Sequence, residues 1–260
     1  MRSVPVNPAK ARMLVDQLAL GLIVRVAQVP DVARIARATG HDFLFIDGQH
    51  AVFSPETVVA LIAAAHGAGI APIVRVRHCD DPGIALWLDA GATGIIVPDV
   101  EDADAARRAA RAAKFAPLGR RSLPGPIALL DFAAVPGEEA ARLVNDATLL
   151  ICMVETRRGL ANCEAIAEVE GVDVVHVGAV DLSGDLGVAE GSPEAVAAIE
   201  YVVAAARAHG KFAGVGGDRD PARLARYVER GARFLTTQVD VALLMAAGAE
   251  AAGRLRRLRP

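Results

Sequence analysis

The chain has 260 residues, 53% of them apolar, and its 28 Lys and Arg against 31 Asp and Glu leave a net charge of −3. That length and apolar content suit one barrel-sized domain or two small ones, while the near-neutral balance gives no electrostatic footprint for nucleic acid. Cys79, Cys152 and Cys163 are odd in number and lack a Cys-x-x-Cys spacing, which argues against a disulfide framework or zinc site and for a reducing cytoplasm.

Residues 1–17 carry Arg2, Lys10, Arg12 and Asp16 without the apolar stretch of an export signal. Eight apolar strand segments follow, near 21–26, 43–47, 72–76, 94–98, 149–155, 173–178, 212–216 and 233–237. Ser54-Pro55, Asp81-Pro82, Ser192-Pro193 and Asp220-Pro221 each set an N-cap before a proline at the first helical position. Glycines 40, 67, 91, 171, 210 and 231 close Ala-rich segments before apolar runs, as helix C-caps leading into strands do. The apolar stretch Val58 to Val74 is broken by His66, Gly67, Gly69 and Pro72, so it reads as a helix handing over to a strand rather than a membrane span.

The connection from Asp99 to Thr148 holds a helix at about 101–114 and then a stretch broken by Gly119, Pro124, Gly125, Pro126, Pro136 and Gly137. It reads as a long loop on the catalytic rim. Val241 to Leu258 reads as one or two helices, packed on the barrel or on another subunit. Arg254, Arg256, Arg257 and Arg259 complement such a helix end. Strand and helix alternating eight times predict a (β/α)8 barrel, one domain over 1–260, with its active site at the carboxyl ends of the strands.

Four apolar runs end on a charge: Phe43 to Ile46 on Asp47, Ile73 and Val74 on Arg75, Leu149 to Val154 on Glu155, and Val174 to Val180 on Asp181. A charge there marks where a buried strand leaves the core. Glu155 and Asp181 offer two hard oxygen ligands suited to Mg²⁺ or Mn²⁺, with positions left for water and a bidentate substrate. Each equally suits a structural ion pair, as of Glu155 with Arg157 or Arg158. Arg75 is costly in an apolar strand end unless it binds an anion or a carboxylate such as Asp47 or Asp89. Asp47 either orients a loop or metal-bound water or caps the His50 loop.

His50, in a polar loop three residues past Asp47, is a candidate base. His41, His66 and His209 lie around helix ends, His78 in a loop and His176 within an apolar strand. Gly214, Gly216 and Gly217 either let backbone approach a ligand or form a tight turn.

With these residues placed, the chain resembles the HpcH/HpaI aldolase family, the metal-dependent class II pyruvate aldolases. The resemblance rests on IDGQH at 46–50, PIVRV at 72–76, LDAGATGIIVP at 88–98, VETRRGLAN at 154–162, GVDVVHVGAVDLSGDLG at 171–187 and Gly210-Lys211. It implies a (β/α)8 barrel with the C-terminal helix exchanged between subunits of a hexamer, a trimer of dimers. It implies Glu155 and Asp181 as ligands of Mg²⁺ or Mn²⁺, and Arg75 as the group that holds pyruvate and stabilises its enolate. It pairs His50 with Asp89 as a basic dyad acting through a metal-bound water, and puts Met153, Ala179, Val180 and Gly216 at the substrate.

The implied reaction is reversible cleavage of a 4-hydroxy-2-oxo acid to pyruvate, or hydroxypyruvate, and an aldehyde. Lys10, Lys114 and Lys211 are the only lysines and none ends a catalytic strand, which disfavours a Schiff-base aldolase. The chain departs from the family pattern at Gln49, where Glu is frequent, at Met153, where Gln is common, and at Ala179-Val180 in place of Pro-Ala. Arg120, Arg121 and Ser122 resemble the family's Gly-x-Arg segment. Two rival readings are a citrate-synthase-like or decarboxylating relative that forms carbon–carbon bonds, and a noncatalytic ligand-binding barrel, motivated by Met153 and Ala179.

Overall fold

A computed structural model describes residues 6–258. Eight strands, β1 (Ala19–Val24), β2 (Phe43–Asp47), β3 (Ala71–Arg75), β4 (Gly94–Val97), β5 (Leu149–Val154), β6 (Val174–Gly178), β7 (Phe212–Gly216) and β8 (Ala232–Val239), pair in chain order. All pairs are parallel, and β8 meets β1 to close the barrel. The unbroken apolar runs follow from this closure, because each strand is buried on both faces. Alternate residues point inward: Phe43, Phe45, Ile73, Ile96, Ile151, Met153 and Phe234 belong to the barrel interior. Their neighbours Leu44, Ile46, Val74, Leu150 and Val177 pack outward under the helices.

The helices are α1 (Pro8–Leu14), α2 (Asp31–Ala38), α3 (Pro55–Ala68), α4 (Gly83–Asp89), α5 (Ala103–Ala113), α6 (Gly137–Ala147), α7 (Arg157–Ala161), α8 (Cys163–Glu168), α9 (Ala179–Leu186), α10 (Pro193–Ala208), α11 (Pro221–Glu229) and α12 (Asp240–Arg256). Ser54, Ser192 and Asp220 accept the expected N-cap hydrogen bonds from Thr57, Ala195 and Arg223. Asp81 accepts from Gly83, and α4 begins at Gly83, one residue later than the Asp81-Pro82 pair suggests. Gly67 lies inside α3; the residue that ends it is Gly69, at φ +73°.

α1 was not foreseen from the sequence. Asn7 caps it and donates its amide to the carbonyls of Thr93 and Ala147, while Ala9 and Met13 join the interior core where the strands begin. The helix thus closes the amino-terminal end of the barrel.

The long connection lies away from the catalytic rim. A helix that follows a parallel strand must carry the chain back to the strand starts, and α5 does so. Lys114 there bonds the carbonyls of Asn145 and Thr148, next to the start of β5. Phe115, Ile127, Leu130, Ala140 and Val144 build a small satellite core, with the unforeseen α6 as its cover. Val241 to Leu258 is mostly one helix, α12, with Leu243, Leu244, Met245 and Leu255 exposed. Arg259 lies outside the described residues. No described helix is long and apolar enough to cross a membrane.

Candidate active site

The carboxyl ends of the strands open into a cavity of about 610 Å³ lined by His50, Arg75, Met153, Glu155, Ala179, Val180, Asp181 and Gly216 among others. All but one of the residues expected at a site therefore share one space. Arg75 is fixed by Asp47, whose Oδ1 accepts from Nε at 3.0 Å and whose Oδ2 accepts from Nη2 at 2.6 Å. Both residues are buried, and the guanidinium carbon sits 5.1 Å from the Phe45 ring centroid. The bidentate grip leaves Nη1 without a protein partner among the described residues.

Asp47 also accepts from the backbone N–H groups of Gln49 and His50 at 3.1 and 3.2 Å, so it shapes the loop that presents His50. Burial alone would raise the Asp47 carboxyl. The Arg75 bonds and charge, the His50 N–H and Arg25 outweigh it and bring the pKa to about 2.

Glu155 follows β5 and is 4% exposed. The ion pair with Arg157 or Arg158 does not form: Arg157 bonds Asp185 and Leu186, and Arg158 pairs with Glu101 and Asp102. Glu155 Oε1 instead accepts the Asp99 N–H at 3.2 Å. Burial pushes its pKa up to about 7, with the charges of Asp99 and Asp181 adding to the rise against the Asp99 N–H and Arg75. Gly178 lies against it closely enough that a Cβ there would collide with Oε2.

Asp181 is exposed and stands one turn further than a strand end, because β6 stops at Gly178 and Asp181 falls in the first turn of α9. No side chain among the described residues caps α9, so its first N–H groups are open beside the cavity. This donor set fits a hard divalent cation. Two carboxylates face one space, and the buried one has no cationic partner among the described residues.

Asp89 is the exception. It ends α4, five residues before β4 begins, and therefore lies at the opposite end of the barrel from His50, about one strand length or ~15 Å away. Its carboxylate accepts from Arg121 Nη2 at 2.5 Å instead. The His50–Asp89 contact does not form within one chain. The His50 ring is exposed and has no hydrogen bond among the described residues.

Several cavity residues were missed. Arg25 directly follows the β1 run, Arg219 lies just beyond β7, and Gln238 is near the end of β8. The rule of a charge after an apolar run would have found Arg25. Asp99, just past β4, donates its N–H to Glu155, and partial desolvation followed by the charges of Asp181 and Glu101 raises its own pKa. His176 is an inward residue of β6 lining the cavity, and burial, then Arg75 and Arg219, lower its pKa to about 3. It is neutral at ordinary pH.

Residues 22–247 match the family model described as HpcH/HpaI aldolase/citrate lyase. The chain belongs to that family. It is a class II pyruvate aldolase, a carbon–carbon lyase. It is similar to the 4-hydroxy-4-methyl-2-oxoglutarate aldolase of Hapsidospora irregularis, at 36% identity over 94% of this chain and 92% of that protein. It is 37% identical to the 4-hydroxy-2-oxo-heptane-1,7-dioate aldolase of Salmonella typhimurium, over 84% of this chain and 83% of that one. Among solved structures, the HpcH/HpaI aldolase of Desulfitobacterium hafniense superposes with a TM-score of 0.90 at 30% identity, covering 96% of this chain and 97% of that one. The citrate synthase SbnG superposes at 0.86 and 28% identity, covering 95% and 97%.

Proposed function

We propose that this aldolase reversibly cleaves a 4-hydroxy-2-oxo acid to pyruvate, or hydroxypyruvate, and a carbonyl acceptor. The observation that carries the reading is the meeting of Arg75, locked by Asp47, with Glu155, which no described side chain pairs as an ion, across one cavity. Both named relatives act on 4-hydroxy-2-oxo acids. Glu155 and Asp181 would hold Mg²⁺ or Mn²⁺, which supplies Lewis-acid polarisation of the 2-oxo group.

The chain's own groups do the rest. The open N–H groups of Ala179 and Val180 hold the substrate carboxylate at the α9 terminus. Arg75 donates to the C2 oxygen, where negative charge develops. His50 takes the 4-hydroxyl proton; the C3–C4 bond then breaks, the acceptor leaves as a carbonyl, and the bond's electron pair becomes the C2–C3 enolate. Proton return to C3 gives pyruvate. Met153 and Gly216 shape the donor end of the cavity. With Asp89 distant in its own chain, His50 works there without it.

The test is exchange of pyruvate methyl protons with solvent deuterium. It should require added Mg²⁺ or Mn²⁺ and stop on chelation; metal-independent exchange would sink the assignment. A citrate-synthase-like condensation is the second reading, favoured by the superposition on SbnG. Trapping pyruvate with lactate dehydrogenase during turnover separates the two. We also propose that α12 is exchanged between subunits of a hexamer, since Leu243, Leu244 and Met245 stand exposed on it. The setting we propose is the cytoplasm, in keeping with three free cysteines.

A further inference from the structure

Three guanidinium groups line the cavity, and their charges are compensated differently. Arg75 gives two bonds to Asp47, and Arg25 gives one to the same carboxylate at 2.6 Å. Arg219 has no such partner. Its Nη1 donates to the carbonyls of Asp218 and Thr236 at 3.1 and 3.0 Å, and no carboxylate pairs with it among the described residues. The adjacent Asp218 is engaged elsewhere: its two oxygens accept from Arg223, each at 2.7 Å, and it also accepts from the Tyr227 hydroxyl and the Asp220 N–H. A half-buried positive charge is thus left single while two carbonyls aim it.

Its place in the barrel matters as much as its charge. Arg219 follows β7 and reaches over the end of β8, and these strands stand across the closed barrel from β3 and β4. The β7 loop also borders the α9 terminus, where a Cβ on Gly217 would stand 3.1 Å from the Val180 N, so Arg219 lies across the cavity from Arg75 and beside the place of the donor carboxylate, and the wall toward β8 and β1 is left to the acceptor. Gln238 and Arg25 continue the wall along β8 and β1. The Gln238 Oε1 is used by the Val239 N–H, which leaves its amide N–H groups as donors, and Thr236 Oγ1 is buried there without a partner. The wall is rich in donors and carries net positive charge.

We infer that Arg219, with Gln238 and Arg25 beside it, is a carboxylate-binding subsite that selects acceptors carrying their own carboxylate over neutral aldehydes. The inference rests on the pyruvate-aldolase reading above. A planar guanidinium grips a carboxylate through two parallel bonds, and a neutral acceptor would leave it unpaired in the complex.

The experiment measures kcat/KM for addition of pyruvate to glyoxylate and succinic semialdehyde against acetaldehyde and butanal. Wild type should prefer the acids. Arg219→Gln should lower the acid-to-neutral ratio at least tenfold, Arg219→Lys should recover part of it, and Gln238→Leu should lower it less. A ratio equal in wild type and both glutamine-site and arginine-site variants would overturn the subsite. If wild type fails to exchange pyruvate protons at all, the donor reading falls by itself. Calorimetric affinity for glutarate then decides the subsite: a tenfold weaker affinity in Arg219→Gln upholds it, and equal affinity refutes it.

Discussion

The two ends of this barrel treat charge in opposite ways. At the amino-terminal end, Lys114 is 2% exposed, yet its ammonium donates to Asp173 at 2.7 Å and to the carbonyls of Thr148 and Asn145 at 2.6 and 3.3 Å. Arg121 pairs with Asp89 there and lies over the Phe115 ring at 4.5 Å. At the carboxyl rim, Glu155 and Asp181 have no cation among the described residues, Arg219 has no carboxylate, and the His50 ring has no hydrogen bond. Buried charges are tolerated when paired. The paired end therefore holds the fold, and the unpaired end is arranged for partners that arrive with the substrate.

That contrast breaks first at Lys114. Replacing it with Met should leave Asp173 without its closest cation and two carbonyls without a donor. The expected loss is about 3–5 kcal/mol of unfolding free energy, the range for breaking a buried pair from one side. Urea unfolding measures it. A loss below about 1 kcal/mol would mean that Lys10, 3.5 Å from Asp173, takes over the pairing.

At the rim the same operation should go the other way. Glu155→Gln should lower the aldol rate at least about a hundredfold, or ~2.7 kcal/mol of barrier, while leaving the fold intact. Its stability should depend less on pH than that of metal-free wild type. The Glu155 carboxyl stands at about 7 in the fold against 4.5 ordinarily, so the native state keeps a proton that the unfolded chain gives up. Its contribution is fully present below about 4.5 and is lost as pH rises through about 7. Melting temperatures of the two proteins between pH 4 and 8 should converge at the acid end and part at the alkaline end, with the variant higher. Parallel curves would show that Glu155 is not held protonated by its surroundings.

The rim was easier to read from sequence than the amino-terminal end, and the reason is physical. A strand buried on both faces is a continuous apolar run, so Asp47, Arg75 and Glu155 stand out where the runs stop. Ser54, Ser192 and Asp220 carry their capping role in their own side chains. What failed depended on direction. Asp89 and residues 114–136 follow helices that run against the strands, so both belong to the far end, and one-dimensional spacing does not show that reversal. Arg219 was hidden in Gly216-Gly217-Asp218-Arg219, which has the composition of a turn. Only the closed barrel brings it beside Gln238 and Arg25.

The smallest effect should come from Arg75, the rim cation that grips Asp47 through two bonds. Arg75 uses Nε and Nη2 on Asp47, lines the cavity and has no partner for Nη1 among the described residues, so one planar group can serve both the fold and the substrate. A lysine ammonium at that depth is a single point: it can sit on Asp47 or face the enolate oxygen, and its donors do not form a fork. In the wild-type fold the Arg75 bonds and charge help to bring the Asp47 pKa to about 2, and Arg25 and the His50 N–H still favour its ionised form in the variant, so Asp47 competes for that ammonium. Arg75→Lys should therefore lose at least tenfold in kcat/KM with pyruvate as donor, about 1.4 kcal/mol, and the loss should not recover between pH 6 and 9. The chain should still fold, since lysine keeps one bond to Asp47. Steady-state kinetics across that range check it, and wild-type values would take Arg75 out of the chemistry and leave it as the partner that fixes Asp47 and the His50 loop.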